Sequence, residues 1–83
     1  MKLYRYKNIN GEYSSLLTYR HKGKIYTDMF IYNHSIEKPC WNRTGHYERK
    51  PEYIMKMCNI VPFKKITSRR RINIFLNATD SIM

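Results

Sequence analysis

Apolar and polar residues alternate over the first third of the chain, and the period changes near residue 50. In KLYRYKNI, Tyr4 and Tyr6 fall on one side while Leu3, Arg5, Lys7 and Ile9 fall on the other. That pattern predicts a strand with neither face purely core. Asn10-Gly11 follows, a pair suited to the positive φ of a two-residue type I′ hairpin turn. Tyr13, Leu16, Leu17 and Tyr19 then predict a second strand over residues 12–20. Its broken alternation fits a bulge or partial cover on both faces. Gly23 marks the next turn. Beyond it, IYTDMFIYN places Ile25, Met29 and Ile31 on one face and Tyr26, Phe30 and Tyr32 on the other. A strand apolar on both sides is a central strand covered on both sides. Residues 1–33 thus predict a three-stranded antiparallel meander.

From His34 to Lys50 no period survives, and Pro39, Gly45 and the single Trp interrupt the run, so residues 34–50 predict a long basic, aromatic loop. Pro51 suits the first turn of a helix, and Glu52 suits the positive end of its dipole. Over residues 51–61, Tyr53, Ile54, Met57, Cys58 and Val61 form a stripe able to pack on the sheet. Pro62 ends that helix. Residues 62–77 then predict an extended arm, a basic turn at Thr67–Arg70 and a last strand from Arg71 to Asn77, with 78–83 a frayed tail. The expected architecture is one small α+β domain: a small antiparallel β-sheet, made of the meander and a C-terminal strand, with one short helix packed on it.

Composition narrows the class. With 42% apolar and 14% aromatic residues the chain is too rich in core formers for a disordered basic tail. At 83 residues the core is small, and a homodimer is one expected source of stability. Neither a membrane-length apolar run nor an apolar segment behind Met1 occurs, so the expectation is a cytoplasmic protein with no membrane partner. Cys40 and Cys58 lack C-x-x-C spacing and read as buried or free thiols. His34, Cys40, His46 and Cys58 carry zinc-compatible atoms, but gaps of 5, 5 and 11 residues match no common structural zinc framework. No metal or cofactor is expected.

Charge supplies the functional signal. Sixteen Lys and Arg against six Asp and Glu leave a net +10, enough self-repulsion in a small domain to call for an anionic partner. The excess is uneven: Lys38–Arg71 holds ten cations and two acids, whereas Ile72–Met83 holds only Asp80. Within PFKKITSRRRINIFL, apolar runs on either side would hold Lys64, Lys65, Arg69, Arg70 and Arg71 on a fixed surface able to neutralise phosphates. Arg43, Arg49 and Lys50 lie among the rings of Trp41 and Tyr47, a mixture suited to stacking on bases beside phosphate contacts. Helix-turn-helix, zinc-finger and RNA-recognition signatures are missing, which disfavours base reading in the DNA major groove. The many tyrosines favour unpaired or structured RNA as the partner.

In size and in its basic, Tyr- and Lys-rich composition the chain resembles the small early proteins of T-even-like bacteriophages, some of which disarm host defences or redirect host RNA. The resemblance implies a host-takeover or counter-defence role in the host cytoplasm, such as inhibition of a toxin–antitoxin system acting through RNA. It assigns no residue. Two alternatives come from the residues themselves. One is a metal-independent ribonuclease in which His46 and Glu48, supported by His21 and Arg49, serve as base and acid. The other is a protein-docking inhibitor whose basic face covers an acidic or ribonucleoprotein target. The expectation is binding rather than catalysis.

Overall fold

Five strands and two helices follow one another as β1 (Lys2–Lys7), β2 (Tyr13–His21), β3 (Lys24–Asn33), β4 (Cys40–Tyr47), α1 (Pro51–Met57), β5 (Lys64–Ile66) and α2 (Arg69–Asn77) in the computed structural model. The structure describes residues 1–34, 37 and 39–79. All the strands join one antiparallel sheet in the order β4-β3-β2-β1-β5. The α+β class read from the sequence holds, and the meander β1–β3 forms the middle of the sheet. Among the described residues no helix is long and apolar enough to cross a membrane.

The two hairpins of the meander close differently. Asn8 donates its N–H to Glu12 O at 3.0 Å, leaving a loop of Ile9, Asn10 and Gly11. Only Gly11 there takes a positive φ, 76°. This three-residue loop replaces the expected two-residue turn, because the Asn8 side-chain oxygen accepts from the N–H groups of Asn10 (3.0 Å) and Glu12 (2.9 Å) and holds the wider form. Between β2 and β3, Lys22 and Gly23 lie at φ 51° and 77° and make the tight two-residue connection.

Successive side chains on a strand point to opposite faces, and here both faces are used. On one, Leu3, Leu17, Phe30, Trp41 and Ile66 bury Ile72 and Phe75 of α2. On the other, Tyr4, Tyr6 and Leu16 bury Ile54 of α1, with Met29, Met55 and Ile60 packed around them. Phe75 meets Phe30 edge-on at 5.0 Å and Trp41 at 5.3 Å, so its truncation to Ala would cost about 3 kcal/mol or more.

Four local expectations are corrected. Residues 71–77 form most of a helix, not a strand. The alternation of Ile72, Ile74 and Leu76 suits a strand, but the helical spacing of Ile72 and Phe75 buries both, while Ile74 is left 63% exposed. Ser68 caps this helix, its hydroxyl accepting from Arg71 N–H at 3.4 Å. The basic turn is therefore largely the first turn of α2. Residues 40–47 of the expected loop form β4, an edge strand whose pairing with β3 shifts between Met29 and Phe30; a bulge of this kind erases the period of two. Helix α1 ends at Met57, and of its expected stripe only Ile54 is buried, Tyr53, Met57, Cys58 and Val61 being exposed. Ala78 and Thr79 are not frayed: Trp41 donates its N–H to Ala78 O at 2.8 Å, and Thr79 bridges Trp41 in parallel. Residues 80–83 of the expected tail, and 35, 36 and 38 of the expected loop, lie outside the described residues.

Candidate nucleic-acid interface

The expected phosphate-contacting residues fall into two groups at opposite edges of the sheet. Four steps of about 4.8 Å separate β4 from β5, or about 19 Å. Lys64 and Lys65 lie on β5, Lys64 opposite Arg5 and Lys65 opposite Tyr4 of β1. Adjacent strand residues face opposite ways, so the two lysines straddle the edge, and the Lys65 ammonium sits 5.8 Å from the Tyr4 ring centre. Arg69, Arg70 and Arg71 occupy the first turn of α2, all exposed, with no acidic residue in that turn. A helix N-terminus carries partial positive charge, so three cations there repel the dipole as well as each other. None of the ion pairs among the described residues involves these five side chains.

Two members of the second group are engaged within the fold. Arg43 Nη1 lies 3.5 Å from Asp28 Oδ2. Arg49 holds its guanidinium 5.1 Å from the Tyr53 ring centre and accepts at its carbonyl from Thr27 Oγ1 at 2.8 Å. Lys50 is exposed at the N-cap of α1. Trp41 is only 8% exposed, packed in the α2 core, so it is no open stacking platform. Tyr47 is half-exposed at the end of β4, its ring lying across Gly45 where any Cβ would stand within 2.6 Å of it.

Beside β4 a carboxylate organises the α2 face. Asp28, buried on β3 next to the β4 edge, accepts from the Tyr19 hydroxyl at 3.0 Å and from His46 Nδ1 at 2.6 Å, in addition to its pair with Arg43. Burial first, then the hydrogen bond to Asp28 and its negative charge, push the Tyr19 hydroxyl up to about 12, against a lowering by Arg43. The His46 ring stacks on Tyr26 with centres 5.0 Å apart and planes 10° from parallel. His21 lies 6.5 Å from the same Tyr26 ring. Glu48, the acid expected beside His46, instead pairs with Lys24 at 3.7 Å. Asp28 was the missed partner, and its signal was a lone acid inside an otherwise apolar strand, where a buried charge must find donors.

A third feature escaped the pattern altogether. At the far end of the α2 face, Arg5, Tyr13, Tyr32, Trp41, Phe63 and Lys64 line a groove of about 390 Å³. Alternate placement of Arg5 among core residues of β1 and the unpaired Phe63 behind Pro62 were its only traces in the sequence. Among the described residues no group of three or more His, Cys, Asp or Glu gathers in a way that would hold a metal ion. Comparison of the chain with protein-family models, with curated proteins and with solved structures finds no match, so the site is read from its own residues.

Proposed function

We propose that this protein binds RNA through the β5–α2 edge. The observation that carries the reading is the set of five exposed cations, Lys64, Lys65, Arg69, Arg70 and Arg71, held on ordered elements without a carboxylate among them. Their mutual repulsion is relieved by a polyanion, and each phosphate neutralised releases counterions. Likeness in size and composition to phage early proteins extends the proposal to an RNA belonging to a host defence or toxin–antitoxin system. The test is fluorescence anisotropy of labelled single-stranded RNA at two salt concentrations, with the recovered RNA checked for length. Binding that weakens steeply with salt is expected. Wild-type protein that leaves the RNA unbound at low salt would overturn the proposal.

One observation favours a second reading, RNA cleavage. With Nδ1 of His46 held by Asp28, Nε2 is the ring atom that would take a proton from a ribose 2′-hydroxyl. The 2′-oxygen would attack the neighbouring phosphorus, and the 5′-oxygen would leave with a proton supplied from His21, giving a 2′,3′-cyclic phosphate. RNA shortened with time by wild-type protein but not by His46→Ala, and left intact when the substrate lacks 2′-hydroxyls, is the outcome that this reading requires. Intact RNA at all times rejects it.

A further inference from the structure

The groove on the α2 face has aromatic walls and a cationic rim. Tyr13 and Phe63 stand at its mouth, 49% and 59% exposed, with ring centres 6.4 Å apart and planes at 72°. Tyr32 and Trp41 form its inner wall, their centres 5.1 Å apart. The Arg5 guanidinium lies 5.7 Å from the Trp41 ring centre, its Nε buried without a hydrogen-bond partner. No ion pair among the described residues involves Arg5, so the positive charge on the groove wall is uncompensated. Lys64 lines the groove, the Lys7 ammonium sits 4.9 Å from the Tyr13 ring centre, and among the described residues no carboxylate lines the groove.

Flat apolar walls ask for a flat ligand, and the unopposed cations ask for an anion on it. A volume of about 390 Å³ falls within the range of small-ligand clefts, about 300–1,000 Å³. Exposed aromatic rings gathered at one place, unlike apolar residues scattered singly, mark a binding surface. The groove's position narrows the ligand further. Lys64 belongs both to the groove and to the β5 edge, and the three residues of β5 span about 10 Å between the groove and the arginines of α2. A chain of phosphates running along that edge would bring one of its own bases to the groove.

From this juxtaposition we infer that the groove takes one unpaired nucleobase, stacked face-on against Phe63 and edge-on to Tyr13, with its phosphate on Arg5 and Lys64. The inference rests on the RNA-binding reading and adds to it a preference for single strands, since a paired base within a duplex cannot offer its face to the groove.

The test measures binding of labelled oligo(A) and oligo(U) RNA octamers, of the DNA octamers and of an RNA duplex by wild-type protein, Tyr13→Ala/Phe63→Ala, and Arg69→Gln/Arg70→Gln/Arg71→Gln. Both aromatic positions are exposed, so the variants are expected to keep the wild-type circular dichroism spectrum. The aromatic variant is expected to bind the single-stranded octamers about tenfold more weakly or worse, with the salt slope and the duplex affinity unchanged. Equal affinity of wild type and aromatic variant for the octamers overturns the groove while the basic edge stands. No binding by wild type overturns both. Independently of any variant, AMP or UMP is expected to change the emission of Trp41, the only tryptophan; emission unchanged to millimolar nucleotide counts against the groove.

Discussion

The two edges of the sheet hold arginines that the sequence presents alike, and they use them in opposite ways. On the β4 side Arg43 is drawn to the buried carboxylate of Asp28, and the exposed Lys24 meets Glu48. At the β5–α2 edge five cations stand exposed with no acid among them. What separates structural from available charge is the presence of a carboxylate within reach, not the local density of Lys and Arg. Six acids cannot serve sixteen cations, and the fold places those described near β4 and α1 or in the first hairpin.

Substitutions can break this contrast, and the largest effect belongs to Asp28. Asp28→Ala leaves Tyr19, His46 and Arg43 without their shared acceptor and is expected to lower stability by about 3 kcal/mol in urea unfolding. A loss under about 1 kcal/mol would mean that Asp28 is not what holds the β4 side together. Next comes Arg69→Gln/Arg70→Gln/Arg71→Gln, expected to keep the fold with a urea midpoint at or slightly above that of wild type, since it relieves the repulsion at the α2 N-terminus, while the log–log salt slope for single-stranded RNA falls by about 2. An unchanged slope would place the phosphates elsewhere.

The third effect is confined to alkali. The Tyr19 hydroxyl is raised from 10.0 to about 12 in the folded chain, so the native state keeps a proton that the unfolded chain gives up first. Its stabilisation is complete below pH 10 and is lost as pH rises through about 12. Tyr4 and Tyr6, also raised by burial, act in the same direction. Tyr19→Phe is expected to make the fall in stability across this interval shallower, as read from urea midpoints at stepped pH. The smallest effect is that of Glu48→Gln, whose exposed pair with Lys24 contributes less than about 0.5 kcal/mol. A larger loss in unfolding measurements would show that the β4 side relies on surface pairs as well as on Asp28.

How far these regions were legible follows from the kind of signal each carries. β3 announced itself because it is apolar on both faces, and it is covered by a helix on each. β4 was hidden by its position: an edge strand needs fewer apolar residues, and the bulge opposite Met29 and Phe30 shifts its alternation. α2 was hidden by a coincidence of periods, since RRRINIFLN satisfies both a strand and a helix. Ser68, a favoured N-cap residue, was the local hint for the helix. The exposed cations of β5 and α2 were readable as residues, though not their separation from Arg43, Arg49 and Lys50, which depends on strand order. The groove depends on Arg5, Tyr13, Trp41 and Phe63, residues up to 58 positions apart that only the register brings together.

The parallel bridge from Thr79 to Trp41 has a consequence for how the protein behaves at high concentration. A sheet with open edges invites strands of other molecules to add to it, the first step towards aggregation. Here β5 is three residues long with two lysines in it, and β4 carries a bulge in its middle and the segment Ala78–Thr79 that follows α2 across Trp41. Each edge is blunted by a different device, charge and brevity on one side, chain and distortion on the other, so the same cations offered to a polyanion also discourage strand addition at their edge.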